Sequence, residues 1–336
     1  MRRPSLKDVA KAAGVHTGTA SRALNDRTAS MVSPQTVERV REAADALGYR
    51  VNRVARGLKT SRSFTIGMLV PDITNPFFPP MVRGAGDGLS QAGYTLVLAD
   101  TDNDPGKERL HQTLMLERQV DGLLLATARR RDDVIEELIS TGLPFVLVNR
   151  TIDRGGVSAV IPDDQAGMAL AVDHLHALGH RIIGHIAGPA TTSTGARRAA
   201  GFEAAVRSLG VEPGPTLEAP SFTVEGGRAV AEGLLTGPAR PSAIVAANDL
   251  IALGALDVAA SLGLSCPADF SLVGFNDMPF VDRLRPPLTT VRVDEHALGL
   301  RASRMLLSHI DDPEARRETI MLAPELVVRG STATPV

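Results

Sequence analysis

The run Leu6-Lys-Asp-Val-Ala-Lys-Ala-Ala-Gly-Val-His-Thr-Gly-Thr-Ala-Ser-Arg-Ala-Leu-Asn25 carries the residue types and spacing of a nucleic-acid reader. Two short amphipathic stretches, Leu6 to Ala13 and Thr17 to Leu24, meet at Gly14, where a left-handed turn is easiest without a Cβ. Ala10 is small where two such helices cross, and Val15, Ala20 and Ala23 supply a compact inner face. Thr17, Gly18 and Arg22 then point outward, toward base edges and phosphates in a major groove. Arg22 is the strongest candidate, because a guanidinium can bind guanine bidentately. A helical hairpin with no DNA to bind needs the same alanines and glycine, and charge separates the two readings. Residues 1–62 carry a net +8 and the remainder a net −10, in a chain whose formal charge is −2. A basic head on an acidic body points the head at a polyanion.

Other chemistries have poorer support. His174, His176, His180 and His185 crowd together in sequence, but His174 and His176 cannot share a helix face, and no carboxylate or cysteine stands at ligand spacing. No metal site and no cofactor is expected. Gly84-Ala-Gly-Asp-Gly88 imitates a phosphate loop, yet it lacks the Gly-Lys-Ser/Thr ending and lies inside a helical stretch. Cys266, the single cysteine, excludes an intramolecular disulfide framework and reads as a buried small hydrophobe. No nucleophile elbow, metal triad or Walker motif is present, so an enzyme is not expected.

Helices and strands must position these groups. Ser33 to Leu47 reads as a third helix, with Ser33 able to cap, Pro34 at the first helical position, Gly48 closing it, and Val37, Val40, Ala44 and Leu47 on one face. A very short fourth segment runs Asn52 to Lys59. From Ser63 the pattern changes to short apolar runs at Thr65–Val70, Thr95–Ala99, Gly122–Ala126, Phe145–Val148, Ile182–Ile186, Ile244–Ala247 and Leu272–Phe275. Helical stretches alternate with them, such as Met81–Ala92, Lys107–Gln119, Gln165–Leu178, Ala199–Leu209 and Leu250–Leu262. This alternation predicts parallel sheets with right-handed crossovers. The length exceeds one comfortable core, so two α/β lobes are expected, with ligand loops beyond the carboxyl ends of their strands facing across a cleft. Hydrophobic residues at 43% and charged residues at 22% suit an ordinary globular protein. No apolar stretch approaches the roughly 20 residues that span a bilayer. Met1-Arg2-Arg3-Pro4 has no apolar region behind it, so a cytoplasmic location is expected.

The ordered series LKDVAKAAGV, TASRALN, VSPQTVERVREAADALGYRVNRVARGLKT, IGMLVPDITNPFF, VDGLLL, GHRIIGHIAGP, RRAAGF, AANDLIALGAL, FSLVGFNDMPF and PPLTTVRVD resembles the LacI/GalR family of bacterial transcription regulators. Each piece alone is weak; the series, from Leu6 to Gly330, is highly specific. The resemblance implies an all-α helix-turn-helix headpiece over residues 1–50 and a hinge helix and linker over 51–62. A two-lobed α/β core like periplasmic sugar-binding proteins follows over 63–336. Four departures stand out. The loop Asn25–Ser33 is about two residues longer than is common. Val51 replaces the usual proline before Asn52. Asn149 and Asn276 stand where many members have aspartate.

By this resemblance Thr17 and Gly18 match base-reading positions, although Gly18 has no side chain to donate a base-specific hydrogen bond. Arg22 matches a recurrent base or backbone contact, and Ser21, Asn25 and Ser33 match phosphate contacts; Ser21 and Ser33 also fit as caps or solvated residues. Asn52, Ala55 and Leu58 match the hinge, with Leu58 the wedge between central base pairs. So short a segment cannot sustain a helix in water, which fits folding on DNA. The implied effector contacts are Phe77, Phe78, Asn149, Arg150, Arg198, Phe222, Asn248, Asp249 and Asn276. Asp249 also fits as the cap of helix Leu250–Leu262, and Phe77 or Phe78 as a staple at a helix start.

The expected function is a ligand-responsive repressor of carbohydrate-related genes, acting as a homodimer on a double-stranded palindromic operator. Only seven residues follow Arg329, too few for a tetramerising leucine-heptad helix. The alternative is a periplasmic-type sugar-binding protein without regulatory DNA binding; the basic headpiece counts against it. Asparagines in place of aspartates, with Arg150 and Arg198 nearby, also admit an anionic sugar derivative.

Overall fold

A computed structural model describes residues 4–24, 28–49 and 62–335. The expected contacts Asn25, Asn52, Ala55 and Leu58 lie outside the described residues. The chain divides into two compact units, residues 1–63 and 64–336.

In the first unit, α1 (Leu6–Ala12) opens on a capping box: the Ser5 hydroxyl accepts from the Asp8 amide, and the Asp8 carboxylate accepts from the Ser5 amide at 2.8 Å. Gly14, at φ +65°, makes the turn. α2 (Thr17–Ala23) is capped by His16, whose Nδ1 accepts from the Gly18 amide at 3.2 Å. α3 (Pro34–Ala46) has proline in its first turn and ends before Gly48, at φ +62°. Val9, Ala10, Ala20, Ala23, Val40 and Ala44 form the buried centre. Leu47, expected on the apolar face of α3, is instead the C-cap and 40% exposed. Ser33 occupies the N-cap position, but its hydroxyl donates to Thr36 Oγ1 at 2.8 Å rather than accepting from a helix amide.

The second unit holds two lobes, each built on a six-stranded sheet. The first lobe runs β1 (Thr65–Val70), α4 (Phe78–Gln91), β2 (Thr95–Asp100), α5 (Pro105–Glu117), β3 (Gly122–Leu125), α6 (Asp133–Thr141), β4 (Phe145–Val148) and β5 (Ala159–Pro162). The chain then crosses to α7 (Asp164–Ala177), β6 (Ile182–Ala187), α8 (Ser193–Ser208), β7 (Glu212–Glu218), α9 (Val224–Thr236), β8 (Ala243–Ala246), α10 (Asp249–Ser261), β9 (Ser271–Asn276) and β10 (Thr289–Arg292). α11 (Glu295–Asp311) and β11 (Thr319–Leu322) return to the first lobe, and β12 (Glu325–Val327) closes the second.

The strand orders are β11-β5-β4-β3-β1-β2 and β12-β10-β9-β8-β6-β7. The two lobes thus share one doubly wound topology with no matching sequence repeat. All pairs are parallel except the antiparallel β10–β12. Strands β1, β3, β8 and β9 are almost wholly buried, as expected of sheets covered on both faces. The glycine run in α4 has a packing reason. A Cβ on Gly84 would lie 2.0 Å from the His296 carbonyl oxygen, and one on Gly88 2.1 Å from Ser303 Oγ, so the run lets α11 press against α4.

Candidate functional site

In the headpiece, Gly18, Ser21 and Arg22 are exposed on one side of α2, at spacings that share a helical face, and Thr17 is half-buried at its first turn. Ala20 and Ala23, on the opposite face, are fully buried. Ser33 is exposed at the start of α3. The alternation of exposed polar and buried small residues leaves the Arg22 side of α2 facing outward. That is the geometry of a helix that enters a groove.

In the second unit a small cavity opens beyond the carboxyl ends of both sheets. The first lobe supplies Asn75, Phe77 and Phe78 after β1, and Asn149 and Arg150 after β4. The second supplies Thr194 and Arg198 from α8, Phe222 after β7, Asn248 after β8 and Asn276 at the end of β9. Residues of both lobes therefore face one small space, at the position where doubly wound sheets bind ligands. Hydrogen bonds join the lobes nearby: the Arg130 amide donates to the Thr191 carbonyl at 2.9 Å, and the Thr151 amide to the Ser193 side-chain Oγ at 2.9 Å.

Local sequence explains each position. Asn75 Oδ1 accepts from the Phe77 amide at 3.1 Å, which turns the chain into α4 and seats the two phenyl rings edge to face, 5.3 Å apart. Asn149 and Asn276 end their strands at φ +67° and +115°. Asparagine enters the left-handed region more readily than most residues, and such strain gathers at ligand sites. Gly188 has no Cβ where the Phe222 ring lies; a Cβ there would be 2.3 Å from the ring.

Arg198 is 2% exposed and fully engaged. Its Nε donates to Asp164 Oδ1 at 2.8 Å, Nη1 to the Ala247 carbonyl at 2.5 Å, and Nη2 toward Asn276 Oδ1 at 3.4 Å. The guanidinium also lies 3.8 Å from the Phe275 ring centroid. Burial raises the Asp164 carboxyl above the usual range, against the pull of Arg198. Arg150 differs. It is 6% exposed, its Nε has no hydrogen-bond partner, and among the described residues its side chain forms no ion pair. Burial first, then Arg129, lowers its pKa to about 10, which leaves it charged at neutral pH. Asn149 Oδ1, beside it, is also buried without a partner.

Asp249, an expected effector contact, does not line the cavity. It is fully buried beneath β9, where its carboxylate accepts from Thr290 Oγ1 at 2.6 Å and from the Met278 amide at 2.8 Å. Burial pushes its pKa up to about 7. Nor is Asp249 the cap of α10: Asn248 Oδ1 accepts from the Ile251 amide at 2.8 Å, and Asn248 Nδ2 donates to the Phe222 carbonyl at 3.2 Å. Sequence reasoning missed Asn75 and Thr194. Asn75 sits directly before Pro76 and the two phenylalanines in a turn signal, which could have revealed it. Thr194 lies in a run of small polar residues that marks a helix start and nothing more.

The crowded histidines serve separate partners. His180 bonds Ser242, Ser271 and the Ala333 carbonyl, His174 bonds Thr332, and His185 bonds the Val245 carbonyl while stacking on Phe202 at 4.8 Å. Cys266 is half-buried, not fully buried; it donates to the Ser331 carbonyl, and burial pushes its thiol up to about 12.

Comparison with known proteins follows the same division. Residues 5–52 match the family of bacterial regulatory proteins named for lacI, and residues 172–332 match a periplasmic binding protein-like domain. The chain is 37% identical to the HTH-type transcriptional regulator reg1 of Streptomyces lividans, over 98% of this chain and 96% of that protein. It is similar to the structure of the lac repressor dimer bound to operator and the anti-inducer ONPF, with TM-score 0.85, 28% identity, and coverage of 99% of this chain and 100% of that one. It also matches the transcriptional regulator CelR in complex with cellobiose, with TM-score 0.75, 32% identity, and coverage of 98% and 100%. The chain belongs to the lacI family of bacterial regulatory proteins: it is a DNA-binding transcriptional regulator and not an enzyme.

Proposed function

We propose that this chain is a ligand-gated repressor of carbohydrate-related genes, working as a cytoplasmic homodimer on a twofold-symmetric operator. One observation carries the reading. The cavity takes polar and aromatic groups from both lobes, Phe77 and Arg150 from the first and Arg198 and Phe222 from the second. A ligand held by both lobes favours one lobe arrangement over another, and only such a differential can shift an equilibrium that DNA binding also feels.

Arg22 reads a base edge, with Thr17, Gly18, Ser21, Asn25 and Ser33 near bases and phosphates. Asn52, Ala55 and Leu58 form the hinge, with Leu58 wedged into the minor groove of the operator centre. Support comes from the likeness to a transcriptional regulator over 98% of the chain and from the exposed polar face of α2. A sugar-like effector is supported by the lining, which pairs phenyl rings with hydrogen-bonding amides. The sugar-binding alternative predicts no DNA binding. A gel shift with the region upstream of the protein's own coding sequence tests the reading: the full chain binds, and a chain lacking residues 1–60 does not. Equal binding by both would remove the headpiece from the account.

A further inference from the structure

The cavity lining holds four asparagine amides, three phenyl rings, two guanidiniums and one threonine hydroxyl. Among the described residues no carboxylate reaches it. Of the two cations, Arg198 is matched by Asp164. Arg129, behind the cavity, is matched by Glu108, whose two oxygens are taken by Thr127 and by Arg129 itself, at 3.1 Å from the latter. Asp249 is spent on Thr290 and the Met278 amide. Among the described residues, Arg150 alone of these cations has no hydrogen bond or ion pair to its side chain, and Glu108, already held by Thr127 and Arg129, answers its charge only at a distance.

A buried guanidinium without a counter-charge is costly, and proteins retain buried charges that are paired or that meet a ligand. Asn149 Oδ1 adds a second unmet demand, for a hydrogen-bond donor. A sugar hydroxyl supplies that donor; an anionic oxygen supplies what Arg150 lacks. Carboxylates that would repel such a ligand are replaced by amides at Asn149 and Asn276. We infer that the effector is a small polyhydroxylated anion, a sugar acid or a phosphorylated sugar, with its anionic group on Arg150 and a hydroxyl on Asn149. This inference rests on the cavity being the effector site. It adds the charge of the ligand and its orientation.

The test follows melting temperature for the full chain and for its Arg150→Gln and Arg150→Met variants. One arm titrates inorganic phosphate against sodium chloride at equal ionic strength. A second compares glucose with glucuronate and glucose 6-phosphate, and ribose with ribose 5-phosphate. Phosphate should stabilise the parent saturably and neither variant. An anionic derivative should bind the parent about tenfold or more tightly than its neutral sugar, and Arg150→Gln should erase the difference. Response to the carboxylate alone assigns a sugar acid, and response to the phosphate alone a phosphorylated sugar. Without ligand, Arg150→Met should melt no lower than the parent, since it removes an unpaired buried charge. The inference is overturned if phosphate acts alike on parent and Arg150→Gln, if a neutral sugar binds as tightly as its anionic derivatives, or if Arg150→Met alone lowers the melting point. The gel shift on the upstream DNA is independent of these arms, so failure of the anion leaves DNA binding standing, and failure of DNA binding is visible separately.

Discussion

Arg198 and Asp164 form an ion pair inside the core, 2.8 Å from Nε to Oδ1, with side chains 3% and 1% exposed. Asp164 opens α7 two residues after β5 ends, at one of the chain's crossings between lobes, so the arginine that faces the cavity also anchors a crossing. Close packing allows this, since a Cβ on Gly201 would come within 2.8 Å of Gln165 backbone. Cavity lining and lobe geometry therefore share one side chain.

Removing that side chain leaves the buried carboxylate with only a long 3.7 Å contact to Arg197 Nε. Arg198→Ala should lower stability by about 3–5 kcal/mol, read in urea unfolding. Arg198→Lys, which keeps the charge and loses the fork, should retain part of that stability and still weaken effector binding. If Arg198→Ala unfolds at the parent's urea midpoint, the pair is not a structural tie.

The buried Asp249 gives a pH signature. Its carboxyl, raised to about 7 from an unfolded 3.8, holds its proton in the folded state where the unfolded chain has lost it. Stability from this group is therefore complete below about pH 4 and lost as pH rises toward 7. Asp249→Asn, whose amide can donate to Thr290 and accept from the Met278 amide, lacks that loss. The variant should gain on the parent by a few kcal/mol between pH 4 and 8, in paired urea titrations. His185, lowered to about 4, acts in the opposite sense but is common to both proteins and cancels. A constant difference across that range would contradict the assignment.

The α4–α11 contact separates two glycines. A Cβ on Gly299 would sit 1.9 Å from the Met81 carbonyl oxygen, whereas one on Gly86 meets nothing within 4 Å. Gly299→Ala should cost about 2 kcal/mol or more. Gly86→Ala should gain about 0.5–1 kcal/mol from helix propensity. Thermal melting of the two variants decides it, and equal shifts would refute the packing argument.

Charge in the cavity can be reversed at one atom. Asn149→Asp places a carboxylate beside Arg150 at a backbone position, φ +67°, that aspartate also tolerates. Anionic ligands should lose about tenfold or more in affinity, and neutral sugars should lose less. Calorimetry with one matched pair checks this; an unchanged preference would show that Arg150 is not the anion's partner.

Much of this architecture is legible in sequence because its signals are local. Seven apolar runs mark β1, β2, β3, β4, β6, β8 and β9, each within a residue or so of its observed limits, although β2, at the sheet edge, is largely exposed rather than buried. β7 escaped because Pro213, Gly214 and Pro215 deny it a strand pattern; it survives as an edge strand with a register shift against β6. β11 and β12 are short and half-exposed at sheet edges, and they give no clean alternation. In the cavity, strand ends and aromatic pairs are visible in the chain. Which neighbour turns inward is not: the choice between Asn248 and Asp249 depends on one helical step. The missing direct partner of Arg150 is a property of the folded interior alone: Asp164 goes to Arg198, and Asp163 caps α7 by accepting from the Ala166 amide.

Arg22 carries the DNA side of the account. Arg22→Ala should weaken specific operator binding by about 1–3 kcal/mol, relax base preference at one position, and leave salt-sensitive nonspecific binding largely intact. Leu58→Ala should likewise reduce specific binding alone, through the lost wedge.

The most direct test joins both ends of the molecule. Fluorescence anisotropy would follow the full chain on a labelled duplex from upstream of its own coding region, with and without whichever sugar anion raises its melting temperature. Operator affinity should change about tenfold or more when the cavity is saturated, as expected from typical coupling energies, and Arg150→Gln should not respond to the same ligand. Operator affinity that stays the same with the cavity full would contradict this coupling.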